Sequence, residues 1–146
     1  MSLINDQFFY AALKSSPSIM ATVDGRIFNP ARTTADENED RIPYIIITLD
    51  SVTNDTATKD DVEGDTDTVE VSILCVTSDR EALAVLTEAV RRQVREYLHH
   101  VEEDGSESEQ AIAPYDWAFS ASGVDYDDMK PCVYQTLHYS CSTNRD

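Results

Sequence analysis

Residues 78–101 restrict the possible folds more than any other segment, because their apolar side chains fall on one side of a helical wheel. The apolar stripe is centred on Val90 and also holds Leu83, Leu86, Val94, Tyr97 and Val101. The opposite side is charged and carries a single apolar residue, Val85. A helix of this kind buries one face only, so the segment predicts a long amphipathic helix lying on a sheet. Ser78 and, three residues later, Glu81 form a capping-box pattern that marks its start.

Two segments before this helix have the composition of strands. Residues 43–49 are nearly continuous in β-branched and apolar side chains, which predicts a strand covered on both faces. Residues 68–76 alternate in polarity, which predicts a half-buried strand. Its apolar side carries Val69, Val71, Ile73 and Cys75. The long polar linker at 53–66 favours an antiparallel pair.

The ends of the chain complete a mixed fold. Residues 3–15 have the spacing of a short amphipathic helix, which Pro17 ends, since proline lacks an amide proton. After the long helix, 117–124 and 132–142 have strand composition, and the acidic segment 125–128 between them is turn-like.

This order of elements predicts the α+β class. We expect a largely antiparallel sheet of about four to five strands, with the long amphipathic helix and the N-terminal helix packed on it. A length of 146 residues and a hydrophobic fraction of 41% predict a single domain spanning residues 1–146.

The charge of the chain is strongly acidic. Asp and Glu number 28 against 11 Lys and Arg, which gives a net charge of −17. The acids concentrate in three predicted loops, at about 29–42, 53–66 and 102–114. Such a surface repels phosphate backbones and anionic lipid heads, so we expect no direct binding of nucleic acid or membrane. We also expect no secretion signal, because the N-terminus has neither a basic leader nor a long apolar core.

The residues that usually carry catalysis or hold metals form no recognisable motif. Cys75, Cys132 and Cys141 are an odd number at no metal-like spacing, which indicates free thiols in a reducing compartment. His99 and His100 follow one another at a helix end and project about 100° apart, so they cannot share a metal on one helix face. His138 lies in a predicted strand and has the setting of a structural histidine. We therefore expect no enzyme activity, no metal and no cofactor.

The acidic linker at 53–66 has two interpretations. Asp60, Asp61, Glu63 and Asp65 place carboxylates at nearly alternate positions, as a hard cation requires, but Gly64 is out of register for a calcium-binding loop. The alternatives are weak cation binding and a solvated hairpin tip. In either case these four acids are candidate docking residues.

Arginines cluster on the long helix. Arg92 is spaced for an i, i+4 ion pair with Glu88, and cations in the C-terminal half of a helix suit its dipole. In so acidic a chain, the same arginines also suit contact with an acidic loop of a neighbouring copy. The candidate subunit-interface residues are Val85, Arg91, Arg92 and Arg95.

The order and spacing of several motifs resemble one family. After the N-terminal helix come Gly25-Arg26-Ile27-Phe28, then Pro43-Tyr44-Ile45-Ile46, the strand Val69 to Ile73, and the helix capped at Ser78. Over roughly residues 3–100 this resembles the tail-completion proteins of long-tailed bacteriophages and prophages, also called tail terminator or head–tail joining proteins.

The resemblance implies a structural protein with no catalytic residues. Such proteins form a ring, commonly of six copies, that ends tail-tube growth and joins the tail to the head. It implies partners in the tail tube and the head connector, and a location in the bacterial cytoplasm during assembly and then in the virion tail. Asp60, Asp61, Glu63 and Asp65 would then line the lumen or dock. The rival hypothesis is a small acidic interaction module that binds a basic partner; acids spread over three loops favour the structural role.

Overall fold

A computed structural model describes residues 6–28, 42–54, 66–104, 115–127 and 132–144. Three helices lie on one face of a six-stranded, mostly antiparallel sheet, so the predicted α+β class is confirmed. The elements are α1 (Asp6–Lys14), α2 (Pro17–Val23), β1 (Ile27–Phe28), β2 (Tyr44–Asn54), β3 (Thr66–Thr77), α3 (Arg80–Asp104), β4 (Tyr115–Ala121), β5 (Asp125–Asp127) and β6 (Cys132–Asn144).

The strands are ordered β1-β2-β3-β6-β4, and β5 also pairs with β6. The two-residue β1 runs parallel to β2, and every other pair is antiparallel, including the expected β2–β3 pair. The register of β2 shifts between Leu49 and Ser51, where the strand carries a bulge. The long helix α3 connects two strands of the same sheet and returns across its face.

Alternate residues of the central strands form the core. On β3 these are the four predicted from the sequence, Val69, Val71, Ile73 and Cys75, and all are at most 1% exposed. The apolar stripe of α3 covers them with Leu83, Leu86, Val90 and Val94. The expectation that β2 is covered on both faces is wrong. Ile45 and Ile47 are buried, but Ile46 and Thr48 face away from the helices and are only half-buried.

The predicted turn at 125–128 is also wrong, because residues 125–127 form a strand. Asp125, Tyr126 and Asp127 pair with Tyr134, Val133 and Cys132 of β6. The chain stays beside β6 because Ser122 bonds to Thr136 twice. The Ser122 amide donates to the Thr136 carbonyl at 2.9 Å, and the Ser122 hydroxyl accepts from the Thr136 amide at 3.1 Å. Tertiary pairing therefore overrides the turn-like composition.

Capping residues set the boundaries of α2. Ser16 accepts a hydrogen bond from the Ile19 amide at 3.3 Å, and Pro17 occupies the first turn, where a missing amide proton costs nothing. Asp24 and Gly25 end the helix with two left-handed residues, at φ 55° and 73°. The Gly25 amide closes it by donating to the Met20 carbonyl at 3.1 Å.

The cap of α3 differs from the capping box expected at Ser78. The helix begins at Arg80, and the carboxylate of Asp79 accepts from the Ala82 amide at 2.8 Å. A carboxylate both satisfies that amide and complements the positive end of the helix dipole. At its other end α3 continues to Asp104, three residues into the predicted acidic loop. No helix in the described part of the chain is both long and apolar enough to cross a membrane.

Aromatic side chains join the helices to the edge of the sheet. Phe9 of α1 lies between Trp117 of β4 and Tyr139 of β6, with ring centroids 6.0 and 5.4 Å away. Phe8 contacts Tyr97 of α3 at 5.4 Å. Pairs at such separations stabilise a fold by about 0.5–1.5 kcal/mol beyond their buried area. This cluster fixes the position of β4 beneath the C-terminal half of α3.

Candidate functional site

A groove of about 190 Å³ runs between the C-terminal half of α3 and strand β4. We call it the arginine groove; its walls include Arg91, Arg95, Leu98, Trp117, Phe119 and Tyr139. The helix supplies the cations and the aliphatic side chain, and the sheet supplies the aromatic rings. The site therefore combines positive charge with an apolar floor.

The structure divides the arginines that the sequence grouped together. Arg91 and Arg95 are one helical turn apart and both line the groove. Arg92 points away from it and forms the predicted ion pair with Glu88, at 3.8 Å with both side chains more than half exposed. An exposed pair of this kind contributes about 0.3–0.5 kcal/mol. Arg92 is thus satisfied within the helix.

Arg91 is held in the groove by an aromatic ring. Its guanidinium carbon lies 4.2 Å from the centroid of the Phe119 ring, within the range of a cation–π contact. Stacking uses the face of the guanidinium and leaves the N–H groups at its edge available as donors.

Two buried donors in the groove wall have no acceptor among the described residues. They are the indole Nε1 of Trp117 and the hydroxyl of Tyr139. Burial raises the pKa of Tyr139 well above its usual range, while the charge of Arg91 acts in the opposite direction. The phenol is therefore protonated at neutral pH and stays a donor. Both atoms are shielded from solvent, and an unsatisfied buried polar group costs about 1–3 kcal/mol, so an acceptor that displaced the atoms covering them would be stabilised there.

Val85 lies on a different surface from the arginine groove. It is 68% exposed and borders a wide depression of about 580 Å³ between α2 and the first turns of α3. Small side chains line this depression, among them Ser18, Thr22, Ala82 and Ala89. Val85 therefore borders a different depression from Arg91 and Arg95.

The face of the sheet opposite the helices carries a polar cluster. The Ser72 hydroxyl donates to Asp50, and its oxygen lies 3.1 Å from Nδ1 of His138. Because the Ser72 proton goes to the carboxylate, His138 must act as the donor towards Ser72. In a serine-nucleophile triad the imidazole instead accepts the serine proton. The cluster thus ties three adjacent strands together without the proton path that such a triad uses.

All three cysteines are free thiols and buried. Burial raises the pKa of Cys75 and of Cys141 to about 12. Thiols with such pKa values carry almost no thiolate at neutral pH, so these two behave as small apolar core residues.

The remaining candidate residues are placed less completely. Asp60, Asp61, Glu63 and Asp65 lie outside the described residues. His99 and His100 belong to the last turns of α3. Within the described ranges, no three His, Cys, Asp or Glu side chains come together as metal ligands.

Comparison with known proteins gives a structural likeness. No protein-family model and no curated protein sequence matches the chain. Among solved structures, it is similar to a chain from the virion of a native gene transfer agent (GTA) particle, with a TM-score of 0.55 and 15% identity. The match covers 94% of this chain and 92% of that one. The two chains therefore share a fold over nearly their whole lengths.

Proposed function

We propose that this chain is a structural protein of a phage-like particle, a tail-completion protein whose copies form a ring that ends the tail tube and joins tail to head. The observation that carries the proposal is the likeness to a chain of a gene transfer agent virion, over 94% and 92% of the two chains. Because the match spans nearly the whole of both chains, it reflects a shared fold and not a short common motif.

The edges of the sheet support assembly with neighbouring copies. β1 pairs only with Ile45 and Ile46, so in the described part of the chain the rest of β2 has no strand on its outer side. Leu49 and Val52, near that edge, are 38% and 47% exposed. Open edges and exposed apolar side chains are commonly covered by another chain. In a ring of identical subunits each copy can cover the next.

The charge distribution suits a ring through which DNA passes. The chain has a net charge of −17, and Asp50 and Glu70 are exposed on the face of the sheet opposite the helices. An acidic wall repels phosphate, so DNA would move past it without being gripped. We assign Asp60, Asp61, Glu63 and Asp65 to the lumen or to docking with the tail tube and head connector on the same grounds.

Tail assembly in the absence and presence of the protein tests this role. Electron microscopy of particles lacking it should show tubes of irregular length without attached heads. Adding back the wild-type protein should restore defined lengths, a terminal ring and head attachment. The Ile73→Asp variant, which places a charge in the core, should restore none of these. Normal tails in the absence of the protein would refute the proposal.

The rival role, a small acidic module that binds a basic partner, predicts a different result. Sedimentation would then give a monomer at every protein concentration, and binding to the partner would weaken as salt screens the charges.

A further inference from the structure

We propose that the arginine groove is a carboxylate-binding site, and that the carboxylate is an acidic side chain of a second copy of this chain. This deepens the proposed function, on which it rests, by assigning one contact between neighbouring subunits to a specific surface. The site consists of Arg91, Arg95, the indole N–H of Trp117 and the hydroxyl of Tyr139.

Each of the four polar side chains that line the groove can donate a hydrogen bond. Trp117 Nε1 can donate but cannot accept, and the guanidinium groups of Arg91 and Arg95 likewise have no acceptor atom. The Tyr139 hydroxyl is buried beside them, and the charges of both arginines act on it. A carboxylate has two oxygens that accept several hydrogen bonds at once, and its bonds to guanidinium are about twice as strong as neutral ones.

The ion pairs of α3 leave the two groove arginines without a carboxylate partner among the described residues. Arg92 has a carboxylate, Glu88, at 3.8 Å. In the described ranges of the chain, neither Arg91 nor Arg95 has a carboxylate within 4.0 Å. Arg91 instead lies over the Phe119 ring, which supplies no hydrogen-bond acceptor.

Charge complementarity identifies the occupant as a second copy. With 28 acidic side chains against 11 basic ones, another copy offers many carboxylates, among them the exposed Asp50 and Glu70. The net charge of −17 repels a second copy as it repels phosphate, so the local match between arginines and carboxylates, and not the overall charge, favours this contact. Each copy carries both a groove and exposed acids, so the contact is heterologous and can repeat from copy to copy until a ring closes.

Sedimentation velocity of the full-length protein over a range of concentrations tests the inference. The test variant is Arg91→Glu with Arg95→Glu. The matched control is Arg80→Glu with Arg92→Glu, which makes the same change in charge on the same helix outside the groove. We expect wild type and control to self-associate with similar affinity. The affinity of the test variant should be at least about 30-fold lower. Tyr139→Phe, which removes only the hydroxyl, should lower the affinity of self-association about 10-fold.

Several outcomes would overturn the inference. One is a wild-type protein that stays monomeric at every concentration; another is an equal effect of the test and control variants. Unchanged self-association of the test variant also contradicts the proposal, whatever its melting temperature, because loss of the Arg91–Phe119 contact lowers stability by itself. If tails assemble normally with the test variant, the contact is wrong but the tail role stands. If wild type self-associates through the groove and tails do not need the protein, the contact is right but the tail role is wrong.

Discussion

The guanidinium of Arg91 lies 4.2 Å from the centre of the Phe119 ring, so a cation of α3 covers an aromatic side chain of β4. This contact closes one side of the arginine groove. β4 has a strand partner on one side only among the described residues, so its position depends on such side-chain contacts as well as on its pairing with β6.

A double-mutant cycle should measure this contact. We expect Arg91→Met and Phe119→Leu to show a coupling of about 0.5–1 kcal/mol in the free energy of unfolding, because either change alone abolishes the cation–π interaction. Urea denaturation of the four proteins provides the values. The control cycle pairs Phe119→Leu with Arg92→Met, which points away from the ring, and should give a coupling near zero. Equal coupling in both cycles would mean that general electrostatics, and not the stacked geometry, is responsible.

Two adjacent residues at the start of α3, Ser78 and Asp79, should differ in how much they stabilise the fold. Asp79→Ala should lower the free energy of unfolding by about 1 kcal/mol, because the Ala82 amide then loses its acceptor. Ser78→Ala should change it by less than about 0.5 kcal/mol, since Ser78 is exposed and precedes the cap. Thermal or urea unfolding checks both. A larger effect at Ser78 would restore the capping box predicted from the sequence.

The core and the surface should respond very differently to loss of a side chain. Ile73 lies on a central strand and is 0% exposed, so Ile73→Ala should cost about 2–5 kcal/mol through lost burial and a residual cavity. Val85→Ala, at 68% exposure, should cost less than about 0.5 kcal/mol in the monomer. Urea midpoints at low protein concentration report both. A large loss for Val85→Ala there would show that this side chain is covered in the monomer.

The free energy of unfolding should fall in alkaline solution, because burial keeps two thiols from ionising in the folded chain while they ionise in the unfolded chain. The pKa of Cys75 and of Cys141 rises from an ordinary 9.0 to about 12 in the folded chain. Their contribution is therefore complete below pH 9 and is lost between pH 9 and 12, because the unfolded chain ionises first. Each thiol should contribute a slope approaching about 1.4 kcal/mol per pH unit in that window.

The variant with Cys75→Ala and Cys141→Ala isolates this effect. It is less stable overall because it loses core volume, but its free energy of unfolding should fall less steeply with pH than that of the wild type. Tyr139, whose pKa burial chiefly raises, is present in both proteins, so its burial contribution cancels; the charge of the Cys75 thiolate, which also raises that pKa, is lost in the variant and acts in the same direction as the expected result. Parallel pH profiles would contradict the assignment.

Periodicity predicted the parts of this fold that depend on one segment at a time. The alternation of β3 identified its buried face, and the stripe on α3 identified the residues that cover it. Residues 125–127 were mistaken for a turn because their composition is acidic, whereas their structure comes from pairing with β6. The composition of one segment does not predict which other segment it pairs with.

The arginine groove illustrates the same limit for the site. The sequence predicted that Arg91 and Arg95 lie on the long helix and that residues 117–124 form a strand. Within each element, Arg91 and Arg95 share a helix face, and Trp117 and Phe119 share a strand face. That those two faces meet, and that Tyr139 of a third element lies beneath them, depends on strand register. Val85 borders a depression shared with α2, whose position relative to α3 the sequence does not give.

Tyr139 connects the groove to the interior, since its ring also packs 5.4 Å from Phe9 and 5.1 Å from Phe119. A ligand that engages its hydroxyl can bind only the folded chain, because unfolding scatters the aromatic residues that hold the phenol in place. Occupancy of the groove must therefore raise the melting temperature by mass action, and by more as the ligand concentration rises. If copies bind one another through the groove as proposed, the associated chains should resist heat and proteolysis better than the same polypeptide diluted free in buffer.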